Sequence, residues 1–176
     1  MNASDYFRLP ETNRPSELVY GVVREPPAPS YGHQKVVGAL FRLMSDHVEE
    51  SGLGDVCVSP VDVVLDEAAG LVLQPDLIFI SSGRLSIIQH HVSGAPDLVV
   101  EVLSPSTEDR DRTMKLALYR RYGVREYWMV DAHLRTVDIV DCSTGTRESF
   151  TETQMLRSRV LPAFTAAPGD VFVARH

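Results

Sequence analysis

The sequence predicts one α/β domain in which a mixed central β-sheet is flanked by a few helices. Strand-like apolar runs alternate with two segments whose apolar residues recur at helical spacing. The run over 97–103 is apolar apart from its acids and stops at a Ser-Pro-Ser breaker, which is typical of a strand buried on both faces. A chain of 176 residues can bury a proper core, so we expect a single domain over 1–176, with an irregular lead-in over 1–16.

The first part of the chain is expected to form a strand and then a long helix. Residues 17–24 are rich in β-branched side chains, and a stiff proline-rich connector follows. Ser30 is the expected N-cap of a helix that continues to about residue 50. One face of this helix is predicted to consist of His33, Val36, Val37, Leu40, Phe41, Met44 and Val48.

Three further strands are predicted in the middle of the chain. Residues 56–65 and 71–80 form two of them, joined by a hairpin turn over 66–70. A surface loop with a short helix follows over 81–95, and the third strand is the apolar run over 97–103.

A second amphipathic helix is expected after this strand. Ser106 or Thr107 caps its start, and Gly123 is suited to the left-handed residue that ends it. The predicted apolar stripe of this helix consists of Met114, Ala117, Leu118 and Tyr122.

The last part of the chain is predicted to be mainly strands. Residues 126–131 and 135–141 form a second hairpin, and edge strands are expected over 147–152 and 171–174. The order β-α-β-β-β-α-β-β is typical of an α/β domain with a mixed sheet.

Composition and charge exclude some classes of protein. A net charge of −7 opposes a large, non-specific nucleic-acid footprint. No segment is apolar over the length that a membrane span requires, and the first residues lack a signal-peptide pattern. Cys57 and Cys142 lie far apart without neighbouring metal ligands, so we interpret them as buried or half-buried free thiols of a reducing compartment. We therefore expect a cytoplasmic protein with no membrane partner.

Basic residues nevertheless cluster around the second helix. Any contact with a polyanion is expected there, with Arg110, Arg112 and Arg121 as the candidate nucleic-acid contacts. The alternative is that this basic face is simply a solvated helix surface.

Two acids, Asp76 and Glu101, stand inside apolar runs. Burial of a carboxylate costs free energy unless a positive group meets it, and two close carboxylates also repel each other. A hard divalent ion such as Mg²⁺ or Mn²⁺ resolves both problems, so the pair indicates a metal site. The alternative is that each acid merely ends its strand at the surface.

Lys115 is the third candidate, on the helix that follows Glu101. It is expected at the edge between core and solvent, where its ammonium can reach inward. Near two carboxylates it could orient or help to deprotonate a water and stabilise developing phosphorane charge. A surface ion pair with Asp111, four residues earlier, is the equally weighted alternative.

Three more polar residues interrupt apolar patterns and are candidates for the same cleft. They are Glu17, His33 and Asp62, for each of which a purely structural role is the competing interpretation.

Several segments together resemble a known family. They are Glu17-Leu18-Val19, Pro29-Ser30-x-x-His33, Gln74-Pro75-Asp76-Leu77, the stretch over 97–107, Asp111-x-x-x-Lys115 with Tyr119, and Gly123-Val124-x-Glu126-Tyr127-Trp128-x-Val130-Asp131. In this order and spacing they resemble the Uma-two family of restriction-endonuclease-like proteins, which lies within the PD-(D/E)XK nuclease superfamily. The resemblance covers nearly the whole chain and implies a restriction-endonuclease-like core.

The resemblance also implies roles for individual residues. Asp76 and Glu101 match the two metal-binding acids of the superfamily, and Val102 would offer a main-chain carbonyl to the metal. The wider superfamily has a lysine two residues after the second acid, where this chain has Leu103, so Lys115 is expected to replace it. Glu17 and His33 match frequent family positions.

The chain also departs from the family near Glu17. Members often continue that motif with further acids, where this chain has Tyr20 and Val22, which puts a second metal site in doubt.

These observations predict an Mg²⁺- or Mn²⁺-dependent endonuclease that hydrolyses phosphodiester bonds of DNA. A homodimer is expected only by analogy with nucleases that cut both strands as two-fold pairs. The alternative is a catalytically inactive nuclease-like module that acts in protein association or DNA binding. A metal-dependent hydrolase of another phosphoester is a third, weaker interpretation.

Overall fold

Two mixed β-sheets form the framework of the protein, for which a computed structural model describes residues 1–10, 14–106 and 108–172. In chain order the strands are β1 (Glu17–Val19), β2 (Val22–Arg24), β3 (Gly54–Val58), β4 (Val63–Asp66), β5 (Leu71–Leu73), β6 (Leu77–Ser81), β7 (Val92–Ser93), β8 (Leu98–Val102), β9 (Glu126–Asp131), β10 (Thr136–Asp141) and β11 (Arg147–Thr151).

The helices are fewer and differ widely in length. They are α1 (Ala3–Tyr6), α2 (Tyr31–Ser51), α3 (Glu108–Arg110), α4 (Leu116–Tyr122) and α5 (Pro168–Val171). A 3₁₀ helix covers Ser82–Ile87, and a π-helical turn, Asp111–Lys115, joins α3 to α4. In the described ranges, no helix is long and apolar enough to cross a membrane.

The larger sheet has six strands in the order β11-β10-β9-β8-β6-β3, and the smaller has five in the order β2-β1-β5-β4-β7. Within the larger sheet β8 and β9 run parallel while the other pairs are antiparallel, and β4 pairs parallel with β7 in the smaller one. The predicted α/β class with a mixed central sheet flanked by helices is therefore confirmed.

The larger sheet is buried on both faces. On one face α2 packs its predicted apolar side against side chains such as Phe79, Val100 and Trp128. On the other face Val99 and Leu103 pack with the smaller sheet and with α4. Because side chains alternate along a strand, Glu101 shares this second face.

The predicted strand over 17–24 is in fact a hairpin of two short strands. Tyr20 and Gly21 both have positive φ, of 48° and 81°, as in the tight turns that suit antiparallel hairpins. The β-branched residues on either side of this turn concealed it.

The predicted strands over 56–65 and 71–80 are each divided between the two sheets. β3 and β6 pair in the larger sheet, whereas β4 and β5 form the predicted hairpin in the smaller one. Pro60 and Pro75 stand at the two breaks, and a proline has no N–H with which to continue a strand ladder.

The second helix also differs from its prediction. The π-helical turn changes the phase of the helix, so that Ala117 of the predicted stripe is exposed while Lys115 and Tyr119 are buried. The helix ends at the predicted Gly123, at φ 93°, and Thr107, one of the two predicted caps, lies outside the described residues.

Short helices lie near both ends of the chain, where an irregular lead-in and an edge strand were predicted. Tyr6 of α1 packs on the smaller sheet, and its hydroxyl hydrogen-bonds to the carbonyl oxygen of Ser16 at 2.9 Å. At the other end Val171 closes α5, so the predicted strand over 171–174 does not form there, and residues 173–174 lie outside the described residues. Cys57 is exposed on the edge strand β3, contrary to its interpretation as a buried or half-buried thiol, and Cys142 is buried.

Asp97 anchors the start of β8. It is fully buried, accepts a hydrogen bond from the Ser81 N–H at 2.8 Å and lies 3.1 Å from Arg84 Nη1. Burial raises the pKa of Asp97, but the Ser81 and Arg84 bonds outweigh it and leave the pKa below its ordinary 3.8. Asp97 thus has a structural function.

Replacing Asp97 with Asn should lower the free energy of unfolding by about 1.5–3 kcal/mol at pH 7, because charge-assisted bonds are lost. A carboxylate with a lowered pKa stabilises the fold fully above its unfolded pKa, and this contribution is lost as the pH falls through the folded pKa. The difference between wild type and D97N, measured by urea denaturation, should therefore shrink below about pH 4. A difference that stays constant down to pH 3 would contradict this assignment.

Candidate active site

Asp76 and Glu101 lie opposite each other at one end of the larger sheet, where the central strand β6 begins and its neighbour β8 ends. In the antiparallel pair of β6 and β8, Leu77 is the partner of Val100. Asp76 precedes that pair and Glu101 follows it, so the two acids stand across from each other. The main chain of Val102 closes the arrangement, since its N–H donates a hydrogen bond of 2.7 Å to Asp76 Oδ2.

The backbone of Asp76 is fixed from both sides. Pro75 ends the pairing of β5 immediately before it, and the Asp76 carbonyl accepts a hydrogen bond of 2.9 Å from the Ser59 N–H. The side chain of Asp76 remains 18% exposed, whereas that of Glu101 is 6% exposed. Asp76 therefore marks the solvent side of the site.

Lys115 reaches the buried side of the site from the π-helical turn. Its Nζ lies 2.7 Å from Glu101 Oε1, 3.1 Å from Glu17 Oε1 and 3.7 Å from Asp111 Oδ1. The Tyr119 hydroxyl donates a second bond of 2.7 Å to Glu101 Oε1. The Asp111–Lys115 pair predicted as a surface alternative does form, but both residues are buried.

Burial and the surrounding charges shift the protonation of this cluster. Burial is the main cause that raises the pKa of Glu101 to about 8. The attraction of Lys115 lowers that pKa, but burial together with repulsion from nearby acids such as Asp111 outweighs it. Burial alone would lower the pKa of Lys115, but the attraction of Glu101 and its fellow acids holds that pKa well above its ordinary value. Lys115 therefore keeps its proton.

His33 covers Asp76 from the first turn of α2. Its Nε2 lies 3.3 Å from Asp76 Oδ2, and its backbone N–H is capped by Ser30 Oγ at 3.2 Å. Burial lowers the pKa of His33, but Asp76, together with contacts to Gln34 and the Val102 backbone, outweighs it and raises the pKa.

Glu17 belongs to the buried cluster, and Asp62 lies one contact further out. Glu17 Oε1 accepts a hydrogen bond of 3.3 Å from the Gln74 N–H, and Gln74 Nε2 donates one of 2.9 Å to Asp62 Oδ1. The structure thus links both residues to the segment that leads into Asp76.

The candidate nucleic-acid contacts have three different surroundings. Arg110 lies 3.1 Å from Glu17 Oε2 and so belongs to the buried cluster. Arg112 contacts three carboxylates, those of Glu108, Asp131 and Asp138, and stays a prediction as a nucleic-acid contact. Arg121 is exposed, with its guanidinium 5.5 Å from the centre of the Tyr122 ring, and stays a prediction.

The donor set at this end of the sheet fits a hard divalent cation. Two carboxylates stand opposite each other there, and Mg²⁺ in proteins is commonly held by one or two carboxylates while it keeps several waters. In the described part of the chain, no three side chains of His, Cys, Asp and Glu are grouped to hold a metal ion. Any metal here would therefore depend on main-chain and solvent oxygens as well.

Sequence comparison identifies the family. The profile of the Uma2 (Uma-two) family, described as "Putative restriction endonuclease", matches residues 3–169. The chain belongs to the Uma2 family. No curated protein matches the chain.

A solved structure has the same fold as this chain. It is a crystal structure described as a putative nuclease belonging to DUF820, from Anabaena variabilis ATCC 29413. The two chains are 18% identical and superpose with a TM-score of 0.84 over 98% of this chain and 97% of that one. This similarity confirms the predicted nuclease-like fold.

The sequence did not reveal all the contacts of the Uma2 site. Tyr119 stands four residues after Lys115, a spacing that places both on one helix face, yet its hydrogen bond to Glu101 depends on the phase of the π-helical turn. The ion pair of Arg110 with Glu17 likewise has no signal in the sequence, because the two residues are far apart along the chain.

Replacing Tyr119 with Phe should lower the free energy of unfolding by about 1–2 kcal/mol, because a buried oxygen of Glu101 loses one of its donors. Tyr122→Phe is the matched control, since its hydroxyl makes a 3.2 Å bond to Asp66 in a partly exposed position. Urea denaturation of both variants should show a clear loss only for Y119F. Equal losses of unfolding free energy in the two variants would show that the Tyr119–Glu101 hydrogen bond stabilises the fold no more than the Tyr122–Asp66 bond does.

Proposed function

We propose that the protein is an Mg²⁺- or Mn²⁺-dependent endonuclease that hydrolyses phosphodiester bonds of DNA. The observation that carries this proposal is the pairing of Asp76 and Glu101 across two antiparallel strands, with the Val102 N–H bonded to Asp76 and the Lys115 ammonium bonded to Glu101. Membership of the Uma2 family and the nuclease-like fold support the same reaction class.

Asp76, Glu101 and the Val102 carbonyl would hold the metal ion. When bound, Mg²⁺ polarises a phosphoryl oxygen and lowers the pKa of a coordinated water. Both described hydrogen bonds to Glu101 end on Oε1, so Oε2 is the oxygen we assign to the cation. The raised pKa of Glu101 agrees with this assignment, because a buried acid with excess negative charge around it favours a cation or a proton.

Lys115 acts as a fixed positive charge rather than as a base. A lysine whose pKa is raised cannot accept a proton from water, so of the roles predicted for it, orientation and charge stabilisation are the ones we retain. Its ammonium favours the ionised form of Glu101 and holds one oxygen of that side chain in place.

Leu103 occupies the position at which the resemblance would place a lysine, so the positive charge beside Glu101 comes from Lys115 on the following helix. Leu103 is buried in the core on the same face as Glu101, where the resemblance would otherwise place a lysine. Lys115 reaches the same carboxylate from the π-helical turn, which supports its role as the replacement.

Asp76 marks the solvent side of the site, and we place a phosphate of the DNA chain there. A cavity of about 520 Å³ lies beside α1, and a second of about 330 Å³ lies near Arg125 and Asp141 at the opposite end of the sheet. Neither cavity includes Asp76 or Glu101. A site on the surface can receive a phosphate of a long DNA chain without enclosing it. We retain a homodimer as part of the proposal, since two-fold pairs can act on both strands.

Asp76→Asn and Glu101→Gln should each reduce nicking of supercoiled plasmid in Mg²⁺ or Mn²⁺ by at least about 100-fold, because each removes a ligand of the cation. Glu148→Gln is the matched control, since it removes one negative charge from the exposed edge strand β11. Agarose-gel rates for the purified proteins provide the measurement. Equal rates for all three variants and the wild type would refute the enzymatic function.

The wild type and the Asp76→Asn variant also test the alternative function, a catalytically inactive nuclease-like module. If nicking is absent throughout, thermal unfolding with and without Mn²⁺ shows whether the metal site survives, because a ligand at 100 times its Kd stabilises a fold by about 2.7 kcal/mol. Stabilisation of the wild type but not of D76N would leave a metal-binding module, and no stabilisation at all would leave a module without the metal.

A further inference from the structure

Lys115 stands where carboxylate oxygens from three separate elements converge. Glu17 comes from β1, Glu101 from β8 and Asp111 from the π-helical turn, and their oxygens lie 2.7–3.7 Å from Nζ. The four side chains are between 2% and 6% exposed. Buried carboxylate oxygens require positive charge close to them, and here the Lys115 ammonium supplies it.

We propose that the Lys115 ammonium takes the place of a second metal ion, so that the site binds one divalent cation and no more. This inference rests on the proposed function, because it presumes that the first cation lies at Asp76 and Glu101.

The charges around the site support a single divalent ion. When ionised, the acids carry four negative charges, and Lys115 and Arg110 carry two positive charges, so two negative charges remain to be balanced. His33, which contacts Asp76, adds positive charge only when protonated. A second divalent ion would leave excess positive charge in a buried position, which is costly. The four acids are Glu17, Asp76, Glu101 and Asp111.

The occupied oxygens support the same conclusion. Glu101 Oε1 already accepts bonds from Lys115 and Tyr119, and Glu17 Oε2 lies 3.1 Å from an Arg110 nitrogen. A cation bridging Glu101 and Glu17 on their Lys115 side would have to expel the ammonium. The side chain is held there because its helix is anchored by the Tyr127 hydroxyl, which donates a 3.2 Å bond to the Asp111 carbonyl.

The number of bound Mn²⁺ ions tests the inference directly. Electron paramagnetic resonance of free Mn²⁺ during titration should give one ion per chain for the wild type and for the charge-preserving Lys115→Arg. Lys115→Met, which empties the position and leaves the carboxylates, should bind two. Two ions on the wild type, or one on a folded Lys115→Met variant, would overturn the inference while leaving the proposed function intact.

Glu17→Gln covers the case in which Lys115→Met does not fold. It removes one carboxylate from around the ammonium but none from the Asp76–Glu101 pair, so it should still bind one Mn²⁺, with a Kd within about threefold of wild type. Loss of binding in this variant would overturn the inference, because Glu17 would then be a ligand of the single ion. A wild type that binds no Mn²⁺ would refute the proposed function itself.

Discussion

The structure depends on one constraint, which is that several carboxylates are buried at one end of a sheet and must be compensated there. Each buried ion costs several kcal/mol unless a charge or hydrogen bonds meet it. Lys115 meets three of these acids at once, and Tyr119 supplies a further donor to Glu101. In the proposed function, a divalent cation at this end of the sheet compensates the negative charge that these contacts leave unbalanced.

In other buried acids of the same chain, hydrogen bonds and positive charges fully compensate the cost of burying the carboxylate. Glu126 accepts hydrogen bonds from Trp128 Nε1 at 2.7 Å, from Ser158 Oγ at 2.7 Å and from the Arg159 N–H at 2.8 Å. Asp97 has a lowered pKa because its donors outweigh its burial. Glu101 has a raised pKa in a comparable environment, which separates it from acids that only hold the fold together.

Much of the fold could be predicted from the sequence because local signals agreed with tertiary structure. Ser30 caps α2 as expected, and Gly123 ends α4. Pro60 and Pro75 are sequence signals for the two strand breaks, but each lies inside a long apolar run that favours one continuous strand. The hairpin at Tyr20 and Gly21 was hidden because a positive φ at tyrosine has no clear sequence signal.

The candidate site was predictable only in part, for a physical reason. Asp76 and Glu101 could be predicted because an acid inside an apolar run is recognisable from the amino-acid sequence alone. The contacts of Glu17 with Lys115 and Arg110 join residues nearly a hundred positions apart, and no local pattern indicates such pairs. The π-helical turn, which sets the direction of Lys115, likewise has no signature in composition or periodicity.

The most direct test of this account is a crystal structure of the protein soaked in Mn²⁺, with the ion located by its anomalous scattering. We expect one peak within coordination distance of Asp76, Glu101 and the Val102 carbonyl, with the Lys115 ammonium still bonded to Glu101. A peak elsewhere on the protein, or none at this end of the sheet at millimolar Mn²⁺, would contradict this account.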